Sequence, residues 1–318
     1  MKKLTKQILI LLAFVLVIVF TDLFFYKTFT TRYITDPSAD LHGKNIEADK
    51  YLPFDDNSEA VVIDTDFTLT GDLPVLDGAS ALYPVYSAFV GSVYPEDSVV
   101  FEGENFAPES ALQLNNTVGA YNAVVTGESD IVFCAYPSQA QLDYASSNGV
   151  ELVLVPIGRE AFVFIVNSNN PVDNLTSDQI RSIYSGDIRS WSEVGGSDDL
   201  ISPLRRVPGS GSQSAMDRFM NGIPIQPDYD AAFGKAIAFS FRYYVSDLTS
   251  YADIKFLSVD GVYPSVENIR NGTYPQTSYF YAVYRADNDN PNVELMLDWI
   301  LSDEGQSVIE SNGYVGIA

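Results

Sequence analysis

The sequence predicts an α/β protein set behind an N-terminal apolar helix, and three observations carry that reading. From "AVVIDTDFTL" (60–69) onward, short runs rich in β-branched and aromatic residues alternate with amphipathic stretches, the order expected when helices cover a sheet. The chain has 318 residues, 46% of them hydrophobic, enough to bury a substantial core and more than one typical domain. No segment recurs at a period of 20 to 50 residues, which excludes a solenoid or a propeller.

Taken in order, the chain begins with Lys2, Lys3 and Lys6 ahead of a run from Ile8 to Tyr26, 19 residues, close to the ~20 that cross a bilayer as a helix. The basic flank places the N-terminus in the cytoplasm and the body outside. A cleaved signal peptide has the same charge-then-apolar order. No small-x-small site directly follows the run and no cysteine there could carry a lipid, so an uncleaved single-pass anchor in the cell membrane (1–30) is favoured over a secreted form. Residues 31–58 are polar and aperiodic, and read as a mobile tether. Strands are expected at "DIVFCAY" (130–136), "VELVLVPI" (150–157), "AFVFIVN" (161–167), "KAIAFSF" (235–241), "IKFLSV" (254–259) and "SYFYAVY" (278–284). Helices are expected at 81–94, 120–128, 176–186, 212–222 and, as one long element, 292–313. Thr176 or Ser177 and Ser210 or Ser212 supply two of the helix caps.

Composition narrows the function. With 42 acidic against 18 basic side chains and a net charge of -24, neither nucleic acid nor an anionic membrane surface is a suitable partner, because both need clustered Lys and Arg. A small anion held by a local set of donors remains open. The single cysteine, Cys134, excludes an intramolecular disulfide and reads as a core thiol. The single histidine, His42, lies in the polar N-terminal stretch, so the body holds no zinc-type cluster and no Ser-His-Asp triad; no enzymatic chemistry and no cofactor are expected. Trp191 and Tyr184 read as packing residues, and the many other aromatics as core.

One stretch concentrates chemistry. "RRVPGSGSQSAMDRF" (205–219) places two arginines before a Gly-Ser-Gly-Ser turn that opens a helix. Gly209 and Gly211 permit a concave nest of N–H groups, the helix start adds a positive dipole end, Ser210 and Ser212 add hydroxyls, and an arginine a few residues upstream can supply a planar fork. All of these favour an oxyanion. Adjacent residues on an extended segment face opposite ways, and Arg205 reads as the solvated member of the pair. "LDGASALYPVYSAF" (76–89), with Ser80, and "NNTVGAYNAV" (115–124) repeat the logic of a small donor-bearing loop before a helix. Asp130, at the start of a strand, reads as a structural acceptor.

With "LDGASALYP", "GESDIVFCAYPS", "NNPVDNLTSDQIRSIYSGDIRSWSEVGG", "RRVPGSGSQSAMDRF", "VDGVYPSVENIRNGTYPQTSYFYAVYR" and "LSDEGQSVIESNGYVGI" in this order, residues 60–318 resemble the PstS-like, phosphate-binding branch of the type II periplasmic-binding-protein superfamily. The resemblance implies a two-lobed α/β clamp, with lobe 1 at 59–160 and 279–318 and lobe 2 at 161–278, crossing over near "GREAFVFIVN" and "TYPQTSYFYAV". It implies inorganic phosphate or a similar tetrahedral oxyanion as ligand and the permease subunits of an ABC importer as partners. Carried over residue by residue, the ligand set is Arg206, Ser210, Gly211 and Ser212 from the turn, Ser80 and Ala81 from the first loop, and Asn116 and Thr117 from the second. Two departures stand out: Cys134, Ala135 and Tyr136 occupy the region where the family places an acidic acceptor for the phosphate proton, and Pro208 stands where an acidic neighbour can brace the arginine. These departures keep open an alternative, a membrane-anchored sensor or interaction module without a transport role.

Overall fold

The structure, a computed structural model, describes residues 47–103, 105–226, 235–246, 248 and 253–317, which belong to one unit spanning Asn45–Ala318. The expected anchor, Ile8–Tyr26, and His42 lie outside the described residues. No described helix is long and apolar enough to cross a membrane.

Among the described residues, eight strands form one mixed sheet: β1 (Leu76–Gly78), β2 (Ile131–Ala135), β3 (Leu152–Asn167), β5 (Ile201–Pro203), β6 (Lys235–Phe241), β7 (Ile254–Phe256), β9 (Thr277–Arg285) and β10 (Val315–Gly316). A separate two-stranded ladder joins β4 (Asn174–Leu175) to β8 (Ser258–Val259). The main path runs β1-β2-β9-β3-β6-β5, and β3 is its spine. Along the first part of β3, β9 pairs antiparallel from Leu152↔Arg285 to Ala161↔Thr277, while β10 pairs with Gly158 and Arg159. Beyond Ala161 the neighbours change: β6 takes Phe162–Val166 and β7 takes Ile165–Asn167. One strand therefore belongs to two half-sheets.

The sequence reading expects two strands here, broken at Gly158-Arg159-Glu160. The chain instead runs straight through, absorbing Pro156 at a register shift between Pro156 and Gly158, where a missing N–H is tolerated. Gly158 is needed for a long-range reason, since a side-chain carbon there would overlap the Phe280 ring. The second part of β3 is buried on both faces, which is why "AFVFIVN" reads as an unbroken apolar run rather than an alternating one.

Helices cover the half-sheets. Around the first are α1 (Tyr83–Val93), α2 (Asn116–Thr126) and α3 (Gln139–Ser147). The second carries α4 (Ser177–Ser185), α5 (Gly211–Met220) and α6 (Arg242–Ser246), α7 (Val266–Arg270) packs on β3 and β10, and the chain closes with α8 (Pro291–Leu301) and α9 (Asp303–Ser311). α1 is apolar nearly all round and correspondingly buried. The expected long C-terminal helix is two, because Ser302 leaves the helical region and caps α9 by accepting from Gly305 N. Trp191 and Tyr184 are fully buried, donating to the carbonyls of Lys235 and Ile237. Cys134 is a buried thiol, pushed up by desolvation.

The stretch expected as a tether through residue 58 is docked on the body from Ala48. A 3₁₀ turn at Ala48–Tyr51 buries Tyr51 edge-on against Tyr83, 6.4 Å between ring centres, and the Ser87 hydroxyl donates to the Tyr51 carbonyl. An apolar ring with a satisfied carbonyl outweighs the polarity of its neighbours.

Candidate functional site

The glycine turn forms as its sequence dictates. Gly209 has φ +80°, a conformation L side chains rarely adopt. Ser210 then caps α5, its Oγ accepting from Gln213 N at 3.2 Å. The Gln213 side chain reaches back to accept from Arg206 N at 3.0 Å and donates onward to Asp217 Oδ1 at 2.8 Å. Arg206 is thereby tied to the first turn of α5. Its Nη1 is shielded from solvent, and its guanidinium carbon lies 6.0 Å from the centre of the Tyr244 ring. The amides of Gly211 and Ser212, at the positive end of the helix, donate to no acceptor among the described residues.

A second junction faces this one. A side-chain carbon on Gly211 would sit 3.6 Å from Thr117 Oγ1 and 3.5 Å from both Ala135 Cβ and Phe241 Cε2. Gln141 Nε2 donates across to the Gly209 carbonyl at 3.2 Å. The start of α5 thus lies against the start of α2 and the end of β2. The loop before α2 is held from beneath by Asp77, which is fully buried: Oδ1 accepts from Gly78 N (2.7 Å) and Asn115 N (2.8 Å), and Oδ2 accepts from Asn115 Nδ2 (2.9 Å). Desolvation nevertheless raises the Asp77 carboxyl above its ordinary range, with the donors from Asn115 and Gly78 acting the other way.

The third junction, Ser80–Leu82, follows β1 as a 3₁₀ turn fixed by Ala79 N donating to the Phe133 carbonyl at 2.8 Å. The amides of Ser80 and Ala81 have no acceptor among the described residues. The Ala81 carbonyl accepts from Tyr314 OH, and the Tyr314 ring lies 4.0 Å from that of Tyr243, the residue before the Tyr244 that stacks near Arg206. Glu160, buried on β3, accepts from Tyr243 N at 3.3 Å. A chain of contacts therefore links the Ser80 junction to Arg206. Donors of this kind, gathered at helix starts beside a guanidinium, are suited to an oxyanion.

Residues 75–304 match the PBP superfamily domain. The chain belongs to the PBP superfamily. It is similar to the phosphate-binding protein PstS of Bacillus subtilis, 27% identical over 166 residues that cover 48% of this chain and 53% of that protein, so the match spans about half of that relative's length. Among solved structures it is similar to a Clostridium perfringens protein described as a phosphate ABC transporter substrate-binding protein with bound phosphate, at TM-score 0.56 and 22% identity, covering 76% of this chain and 98% of that one. A phosphate transport receptor of the ABC type from Vibrio cholerae gives TM-score 0.55 at 17% identity, again covering 76% and 98%. These two likenesses are likenesses of fold.

Within this PBP-superfamily fold the expected residues fare differently. Thr117 and Gly211 meet directly, and Ser210 and Ser212 flank the contact. Ser80 and Ala81 reach the region through Tyr314. Asn116 is exposed at φ +52°, with Oδ1 accepting from Val118 N at 3.3 Å, which makes it a turn-former in its own loop. Arg205 does not face solvent as expected: Nη2 donates to the carbonyl of Ile225 at 2.7 Å and to that of Gln226, so it ties down the chain beyond α5. Asp130 is a structural acceptor, as read from sequence, taking Val75 N at 2.8 Å and Asn288 Nδ2 at 2.9 Å. Sequence reasoning missed Asp77, Glu160 and Gln213. Asp77 had a visible signal, an acid inside an apolar run; Glu160, beside Arg159 in the expected break, and Gln213, three residues after a capping serine, had none.

Proposed function

We propose that this protein is an extracytoplasmic solute-binding protein that captures inorganic phosphate, or a similar tetrahedral oxyanion, and presents it to the permease of an ABC importer. The observation that carries the reading is the open pair of amides at Gly211 and Ser212, set against Thr117 and tied through Gln213 to Arg206. The ligand set is Arg206, Ser210, Gly211, Ser212, Ser80, Ala81, Asn116 and Thr117. The exchange of partners along β3 at Ala161–Phe162 supports two lobes, 59–160 with 279–318 and 161–278, closing on the ligand by flexure of the shared strands. The Ile8–Tyr26 segment would hold the body at the cell membrane. No chemistry is performed on the bound anion. The similar proteins named above, described as phosphate-binding and as ABC transport components, support the same assignment.

Calorimetric titration of the full chain with phosphate tests this. Saturable binding is expected, with a loss of about a hundredfold or more in Arg206→Ala, because a charge-assisted contact disappears from a closed site. Unchanged affinity in that variant overturns the assignment. A second reading, a sensor or interaction module on the same fold, is favoured by the Ala135 methyl, which lies against Gly211 in place of an acidic acceptor. It gains if neither phosphate nor sulfate binds the intact chain.

A further inference from the structure

A cavity of about 320 Å³ opens between the far half of α5, α4 and the segment Gln276–Ser278 where β9 begins. Its nearest lining residue on α5, Ala215, lies four residues along from Gly211, about 6 Å at the helical rise, so the cavity begins one turn beyond the glycine turn. Phe162 and Phe219 give it an apolar floor, their rings 6.5 Å apart. Two guanidinium groups border it, Arg181, whose charge is met by Asp178 at 3.0 Å outside the lining, and Arg218; among the described residues no carboxylate belongs to the lining itself. In a chain with 42 acidic and 18 basic residues, that local excess of cation runs against the composition.

Neither arginine is exhausted by its contacts. Arg218 lies 5.4 Å from the Tyr136 ring centre and donates Nη1 to the Tyr136 carbonyl at 3.2 Å; its Nε and Nη2 have no acceptor among the described residues. Arg181 stacks on Phe219 at 4.7 Å, gives Nε to the Phe219 carbonyl (2.9 Å) and Nη1 to Asp178 (3.0 Å), and keeps Nη2. Ser278 borders the cavity as a half-buried residue, but its Oγ is covered by protein, so the cations and the aromatic floor are what the cavity offers a ligand.

We propose that this cavity is a second ligand site, for a small organic monocarboxylate carrying an apolar body. A planar carboxylate matches the guanidinium fork, while the aromatic floor takes the apolar part. A fully hydrated inorganic anion would leave that floor uncovered. The inference stands independently of the phosphate reading, since it shares none of that site's residues.

The test is a calorimetric titration of the full chain with benzoate in the presence of saturating phosphate, with benzamide as the uncharged isostere. Benzoate is expected to saturate one site, benzamide to bind at least about tenfold more weakly, and Arg218→Gln to weaken benzoate about tenfold or more. Arg181→Gln, which removes the second guanidinium, is expected to weaken it about fivefold. Failure of benzoate to saturate, equal binding of benzamide, or displacement of benzoate by phosphate each overturns the proposal. If Arg218→Gln does not fold, the benzamide comparison and Arg181→Gln decide it, and an unchanged benzoate affinity in Arg181→Gln counts against the site.

Discussion

The two walls of the candidate cleft are built to the same end by opposite means. On the first half-sheet, the loop before α2 is shaped by a charge brought up from below, the fully buried Asp77 with its three contacts to Gly78 and Asn115. On the second, the glycine turn is shaped from within its own helix by neutral groups, Ser210 Oγ and the Gln213 amide, which hold Gln213 N and Arg206 N. Removing that carboxylate strands the Gly78 amide in a dry interior and releases the Asn115 loop, so the first wall is tied to the stability of the whole body. A cap at a half-exposed helix start can be altered at the cost of a local contact. One wall should therefore report on folding and the other on binding.

The largest expected effect tests the first half of that comparison. Asp77→Ala leaves Gly78 N, Asn115 N and Asn115 Nδ2 without an acceptor and should destabilise by about 3 kcal/mol, which for a body of this size lowers Tm by about 6–12 °C. Chemical denaturation gives the same quantity, and a loss under about 1 kcal/mol would mean that the loop finds other acceptors. Gly211→Ala tests the second half. Its new methyl meets Thr117, Ala135 and Phe241 at ordinary contact distances of 3.5–3.6 Å, and alanine is the better helix former, so stability should hold or rise by about 0.5 kcal/mol. The same methyl enters the space between the helix start and Thr117, where crowding is expected to cost about 2 kcal/mol, roughly thirtyfold in phosphate affinity. Equal losses of stability and affinity in that variant would erase the distinction between the walls.

The elements that declared themselves in the sequence are those whose cause is local. The Thr176 cap, the Gly-Ser-Gly-Ser turn into α5 and the apolar run of α1 are decided within one or two turns of chain. What escaped depends on distant partners. Gly158 reads as a break between strands because nothing nearby reveals that the Phe280 ring, across the sheet, requires a glycine there. Arg205 reads as solvated because the carbonyls of Ile225 and Gln226 that capture it lie some twenty residues on. α3 went unread since "QAQLDYASS" has little apolar face, and its start lies in the capping box between Ser138 and Gln141. Of the candidate site, the three loop-to-helix junctions were legible and their braces were not: Ser210, Gly211 and Thr117 stand at helix starts that local residue types announce, whereas Asp77 and Gln213 act only through the positions of other groups.

The smallest effect expected is a pH slope, and it sharpens the comparison by setting Asp77 against a carboxylate with matching donors elsewhere. Glu193 also accepts two backbone amides, from Arg189 at 2.9 Å and Ser190 at 2.8 Å, yet it stands in solvent and those bonds hold its carboxyl below the usual range. Asp77 is raised because desolvation outweighs the same kind of bond. The signs follow. A group raised on folding binds more protons in the native state, so its contribution is complete below the ordinary carboxylate value and declines as pH climbs through the raised one; a lowered group such as Glu193 contributes above its ordinary value and loses that on acidification. Asp77→Asn removes the first titration and leaves the second. The stability of the native chain relative to this variant should therefore fall as pH rises from about 3.8, by at most about 1.4 kcal/mol per pH unit. Denaturation midpoints of the two proteins between pH 3 and 7 measure the difference, and a gap that stays constant or widens with pH would show that Asp77 folds as readily charged as neutral, which removes the physical basis for reading its wall as the one that reports on folding.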